Sequence, residues 1–160
     1  MNNHLTFCPN YGKSEVVFLQ VRELMNSSVV TIDPGESAAL AARLLARHNI
    51  GSLPVCSADG HLLGIVTDRD IVLRCVAAEE DPKLLPAKAI MSRRPQALSP
   101  EDDVRQAARL MSGQQVRRLP VVEKDRLVGM VSLGDLAKCG KYEMEISRAL
   151  TDISENVKRV

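Results

Sequence analysis

Gly64-Ile65-Val66-Thr67-Asp68-Arg69-Asp70 and, later in the chain, Gly129-Met130-Val131-Ser132-Leu133-Gly134-Asp135 decide how this sequence is read. Each copy is a glycine, two apolar residues, a hydroxyl residue and an aspartate three positions further on. An apolar run ending in Thr or Ser, with an acid three residues later, reads as a strand that turns into a helix. The hydroxyl takes a free amide of the first turn, and the acid reaches back to the hydroxyl residue's own N–H.

These stretches lie 65 residues apart, and ahead of them, across a one-residue deletion, the likeness continues at an offset of 66. Leu24-Met25 returns as Ile90-Met91, Asp33-Pro34-Gly35-Glu36 as Ser99-Pro100-Glu101-Asp102, and Leu53-Pro54-Val55 as Leu119-Pro120-Val121. A periodic likeness of this kind is the mark of an internal repeat. Asp33 and Ser99 suit helix N-caps with Pro34 and Pro100 at the first helical position. A start one turn later, at Ser37 and at Asp102 or Asp103, fits equally. Ala38, Ala41, Ala42 and Leu45, then Val104, Ala107, Ala108 and Met111, keep the spacing of one helical face.

Two strands follow each helix. They are expected at about Ser52–Cys56 and His61–Thr67, joined by Ser57-Ala58-Asp59-Gly60, and at Arg118–Val122 and Arg126–Ser132, joined at Glu123-Lys124-Asp125. Short strands are expected before each helix, at Val29–Ile32 and Gln96–Leu98, and second helices at about Asp68–Ala78 and Leu133–Cys139. Each half is therefore β-α-β-β-α, and a unit of ~55–60 residues buries too little apolar surface to be comfortable alone. The expected fold is α+β, with two pseudo-symmetric repeats packed sheet to sheet and a C-terminal helix. Residues 1–20 form an N-terminal extension, 21–78 the first repeat, 79–86 a linker, 87–139 the second repeat and 140–160 a C-terminal helix and tail. In that last segment Leu150, Ile153 and Val157 fall at helical spacing.

The totals narrow the function. The 160 residues are 45% hydrophobic and 26% charged, with a net charge of +1. That balance offers no whole-molecule attraction to a polyanion. Two Tyr, two Phe and no Trp leave few rings to stack on bases, so nucleic-acid binding is disfavoured. Cys8, Cys56, Cys75 and Cys139 form no C-x-x-C or Cys/His cluster, so no metal site is expected; they read as small apolar side chains. No apolar run approaches the roughly 18 residues that span a bilayer. The N-terminus lacks a basic leader pattern, and a cytoplasmic location is expected. His48, at a helix end, and His61, at a strand start, read as structural.

The doubled G-h-h-[ST]-x-x-D motif, each copy following a Leu-Pro-Val strand, resembles the CBS domain. The tandem, over about Val21–Ala137, resembles the CBS pair known as a Bateman module. The resemblance implies a non-catalytic regulatory module that binds an adenosine ligand: AMP, ADP or ATP, or else NAD or S-adenosylmethionine. It also implies a homodimer and a protein target regulated in trans. Carried over residue by residue, site 1 comprises Thr31, Ser52, Leu53, Thr67, Arg69 and Asp70. Site 2 comprises Ala97, Arg117, Arg118, Leu119, Ser132 and Asp135. The Asp would hold ribose hydroxyls and the Thr or Ser a phosphate.

The chemistry is sound by itself, since a carboxylate accepts both hydrogen bonds of a cis-diol and a helix-start amide suits a phosphate. The same residues also satisfy a plain capping box, and both readings stay open at this point. Gly64 and Gly129 permit close approach of a backbone or a ligand. Arg117-Arg118 is the better phosphate clamp, which places the tighter binding at site 2; Arg69 lends charge to site 1, and Arg93 and Arg94 are weaker candidates on a loop. The rival readings are a ligand-free protein-interaction or nucleic-acid-binding module, and an enzyme acting on nucleotides. The enzyme reading lacks a metal cluster or a phosphate-cradling loop to support it.

Overall fold

The computed structural model describes residues 18–140 and 142–155. Ser37 caps the first long helix, α1 (Ala38–His48), and Asp103 caps its counterpart α4 (Val104–Gln114). Both helices thus take the later of the two starts. Asp33 instead closes a tight turn by accepting the Gly35 amide at 2.9 Å. Both helices end on a left-handed residue, Asn49 and Gln115. Their buried stripes are Ala38, Ala41 and Leu45, and Val104, Ala107, Ala108 and Met111.

Each long helix leads into an antiparallel hairpin, β1 (Ser52–Cys56) with β2 (Leu62–Thr67) and β4 (Arg118–Glu123) with β5 (Arg126–Ser132). The registers match, Ser52 facing Thr67 and Arg118 facing Ser132. Short helices α2 (Asp68–Ile71) and α5 (Leu133–Ala137) follow, α2 running on into a π-helical turn, Val72–Val76. The expected early strands shrink to single parallel bridges, Ile32 with Val55 and Leu98 with Val121.

The lead-in of each repeat crosses to the other repeat. A 3-10 turn, Val21–Glu23, packs in the core built by the second repeat with Leu98, Val104 and Val131. A short helix, α3 (Ala87–Ile90), packs in the core of the first with Ala38, Val55 and Val66. The hydrogen bonds come in register pairs. Val21 N–H donates to Asp102 O at 2.8 Å and Ala87 N–H to Glu36 O at 2.7 Å. Arg22 N–H donates to Pro100 O and Lys88 N–H to Pro34 O, both at 3.0 Å. Beyond α3, β3 (Ser92–Arg93) adds to the first hairpin beside β2, and Asn26 pairs with Met130 on the second.

This crossing explains two glycines. A Cβ on Gly64 would stand 2.6 Å from Met91 Sδ and 2.8 Å from Ser92 O; one on Gly129 would stand 2.8 Å from Met25 Sδ and 3.2 Å from Asn26 O. The close approach is that of the crossing strap, not of a ligand.

The C-terminal helix α6 (Glu143–Glu155) packs against α4 and α5 through Ile146, Ala149 and Ile153. Leu150, expected on that stripe, is half-exposed, because the buried positions follow Ile146 at i+3 and i+7; Val157 lies outside the described residues. Cys56 and Cys75 are buried, and burial pushes the Cys56 thiol up. Cys139 is partly buried, and Cys8 lies outside the described residues.

Gly64→Ala is expected to destabilise the fold by roughly 1–3 kcal/mol, as overpacking does. Gly129→Ala should cost less, since its strap carbonyl stands further off. Gly113→Ala, in open space on α4, should instead stabilise by up to about 1 kcal/mol. Urea unfolding of the three variants checks the order.

Candidate functional site

The two hairpins meet at a seam, and each ends in a capping box. Asp70 N–H donates to Thr67 Oγ1 at 3.2 Å, while Asp70 Oδ2 accepts from the Thr67 amide at 2.8 Å and its hydroxyl at 2.7 Å. Ser132 and Asp135 repeat the pattern at 3.1, 3.0 and 2.5 Å. Of the helix-start amides that sequence alone offered to a phosphate, those of Asp70 and Asp135 are taken by the caps, Arg69 N–H by Asp68 Oδ1 and Leu133 N–H by Arg117 O.

The second carboxylate oxygens are also bound. Arg74 reaches Asp70 Oδ1 at 3.1 Å, and the same guanidinium nitrogen donates to Ile90 O, on the crossing strap, at 2.5 Å. Lys138 reaches Asp135 Oδ1 at 3.1 Å. Burial acts to raise the Asp135 pKa, but hydrogen bonds from Ser132 and Lys138 outweigh it and hold the group below its ordinary value of 3.8.

Both aspartates face cavities. The larger, cleft 1, has a volume of about 770 Å³ and is walled by Ser52, Thr67, Arg69 and Asp70 of the first repeat and Arg117, Arg118 and Leu119 of the second. Cleft 2, about 160 Å³, is walled by Asn26, Val30, Ile50, Ser52, Arg118, Ser132 and Asp135. Ser52 and Arg118, which occupy matching positions in the two hairpins, line both.

The residues grouped from sequence fall across both clefts. Arg117 and Leu119 line cleft 1 with Thr67 and Asp70, while Arg117 O also accepts from the Leu133 amide, next to Ser132, at 2.9 Å. Arg118 serves both. Leu53 is fully buried in the core of the first repeat. Thr31 opens onto a separate depression beside Asp33 and Cys56, and Ala97 lines neither cleft.

Arg93 and Arg94, weaker candidates on sequence, join the wall of cleft 1. Beyond β3 the chain runs along the mouth of that cleft, a course no local pattern signals. Five arginines therefore line cleft 1, Arg69, Arg93, Arg94, Arg117 and Arg118, against the two acids Asp68 and Asp70. Among the described residues none of the five is in an ion pair, whereas Arg22, Arg74, Arg105 and Lys138 all are. A cluster of unpaired guanidiniums in a concave site attracts anions and forks onto their oxygens. His48 is exposed on the last turn of α1, and His61 N–H bonds Ser57 Oγ at the hairpin turn; neither lines a cleft. Among the described residues no three His, Cys, Asp or Glu side chains group as a metal site, and no helix is long and apolar enough to cross a membrane.

Two repeats that exchange straps and open a carboxylate-bearing cleft on each side of one seam define a paired ligand-cleft module. The chain belongs to the CBS-domain family, whose model matches residues 21–76 and 87–141. It is 39% identical over 134 residues to the CBS domain-containing protein YhcV of Bacillus subtilis, covering 84% of this chain and 94% of that one. It is 35% identical over 117 residues to hypoxic response protein 1 of Mycobacterium tuberculosis, covering 73% and 82%. The crystal structure of Hypoxic Response Protein I with two coordinated zinc ions matches at a TM-score of 0.71 and 34% identity, over 75% of this chain and 98% of that one. The CBS domain pair of protein MJ0100, in complex with 5′-methylthioadenosine and S-adenosyl-L-methionine, matches at 0.68 and 28%, over 76% and 94%.

Because the folded pKa of Asp135 is depressed, its carboxylate contributes stability that is complete above the unfolded carboxylate range. That contribution is lost as pH falls through the folded value. Asp135→Asn should therefore be less stable than the parent near neutral pH, and the difference should fade on acidification below about pH 3.8. Denaturation of both proteins across pH 2.5–7 (roughly the span of carboxylate titration) checks the convergence.

Proposed function

We propose that this chain is a non-catalytic ligand-sensing module that binds an adenine nucleotide with two or more phosphates in cleft 1. The observation that carries the reading is the set of five unpaired guanidiniums around that cleft. Its volume of about 770 Å³ lies within the ~300–1,000 Å³ typical of small-molecule sites. Asp70 and Thr67 face the same space and suit the ribose end of a nucleotide, the carboxylate exchanging its capping partners for a cis-diol.

The charge discriminates among adenosine ligands. ADP and ATP bring the most anionic charge to the arginines and AMP brings less, while the two phosphate charges of NAD are partly offset by its nicotinamide cation. S-adenosylmethionine brings a sulfonium cation into a ring of cations, which like-charge repulsion opposes. The complex of MJ0100 with two adenosyl ligands supports the adenosine part of the reading. The phosphate part rests on the arginines of this chain.

The reading assigns no chemical step. Binding ties residues of both repeats to one ligand and so sets the angle between them, which a protein target reads in trans. Val72, Leu73 and Val76, 55%, 53% and 65% exposed on one turn of the chain, offer an apolar face for a second copy in a homodimer or for that target. This face is also what a ligand-free interaction module would use. Calorimetry against adenine nucleotides separates the two readings, a flat response favouring the second.

Arg117→Ala removes a cation that lines cleft 1 alone. A hydrogen bond to a charged group is worth about 1.5–3 kcal/mol, so the variant should bind ATP roughly ten- to hundredfold more weakly and adenosine nearly as the parent does. Equal loss for both ligands, or none, overturns the assignment.

A further inference from the structure

The family model ends at residue 141, and α6 lies beyond it, laid over the second repeat. Ala108 of α4 is buried, whereas Ala42, its counterpart on α1, is exposed. The difference is the packing of α6 against α4. Among the described residues the first repeat is followed by no such helix.

The last turn of α6 reaches the ligand cleft. Ile153 lines cleft 1 together with Val116, which stands in the turn between α4 and β4. No residue of α6 lines cleft 2. Ile153 is buried in the apolar core of the second repeat, so a packed side chain presents one edge to the cleft. Beside it on α6, Asp152 accepts a hydrogen bond from Ser112 of α4, and neither of those two residues lines cleft 1.

We propose that Ile153 contacts the ligand of cleft 1, so that seating of α6 and occupancy of the cleft support each other. The chemistry suits the uncharged part of a nucleotide. Arginines of the cleft attract phosphates, and Asp70 with Thr67 suits a diol; Ile153 and Val116 add an apolar surface for the base. A base resting on Ile153 loses that contact when α6 lifts, and differential contact of this kind shifts an equilibrium. Coupling is reciprocal, so a ligand that prefers the seated helix also holds it down. The inference rests on the nucleotide reading of cleft 1. It adds a binding residue from outside the two repeats and an element that registers occupancy.

Two measurements on the full chain test it. In calorimetry Ile153→Ala should weaken ATP and adenosine alike, by about tenfold, the low end of what a missing apolar group costs in a pocket. Hydrogen exchange read by mass spectrometry reports local opening of the helix. At saturating ATP the last turn of α6 should exchange about tenfold more slowly, since both measurements sense the same contact. The last turn of α1, which lines neither cleft, should not change. Asp152→Ala should speed exchange in α6, and ATP should slow it again. Unchanged affinity in Ile153→Ala, a loss confined to ATP, or an α6 that ignores ATP overturns the role of Ile153 while leaving cleft 1 as a nucleotide site. Failure of the parent to bind either probe overturns the nucleotide reading itself. If circular dichroism shows Ile153→Ala unfolded, exchange of the parent with and without ATP decides.

Discussion

Paired backbone hydrogen bonds hold each repeat's lead-in to the other repeat, and the remainder of the structure depends on them. Val21 to Asp102 and Ala87 to Glu36, with Arg22 to Pro100 and Lys88 to Pro34, tie each strap to the loop that starts the opposite long helix. The straps carry apolar residues that are wholly withdrawn from water, among them Val21, Ala87 and Ile90. Burying one such aliphatic side chain is worth ~1.5–3 kcal/mol, a large share for units this small. Neither core is complete without the other repeat's contribution. The reciprocity also fixes the pseudo-twofold relation, and so brings Ser52 and Arg118 together at one seam.

On that symmetric frame the chemistry is unequal. The backbone presents a hydroxyl and a carboxylate to each cleft by the same capping box, so the frame itself does not favour either side. Side chains at the seam and along the segment after β3 break the tie. Five arginines line one cleft, and of these only Arg118 also borders the other. Net charge hides this, since a chain of net +1 still concentrates five guanidiniums at one concavity. Local field, not the whole-molecule balance, decides which ligands approach.

Much of this was legible in the residues. The doubled motif predicted both hairpins, both capping boxes and the α+β class, because these features depend on near neighbours along the chain. Leu24-Met25 and Ile90-Met91 were visible as equivalents, but nothing local says that each packs on the far repeat. Gly64 and Gly129 carried a hint, since a strand glycine marks a close approach; the partner proved to be a methionine and a strap carbonyl. That Arg117 lines one cleft with Thr67 and Asp70 was illegible for the same reason, since the residues belong to different repeats. Arg93 and Arg94 lie at the offset positions of Ser27 and Ser28, so the repeat itself held the sign of an unequal cleft. The early strands were overread because single bridges carry the same alternation as short ladders.

Arg74 stands between the cleft and the strap. It holds the Asp70 carboxylate on one side and the Ile90 carbonyl on the other. Under the proposed function, a diol that claimed that carboxylate would loosen the grip of Asp70 on the guanidinium, and the strap carbonyl would be the first group outside the pocket to register it. In the second repeat the partner of Asp135 is the exposed Lys138, which among the described residues has no hydrogen bond to a strap carbonyl.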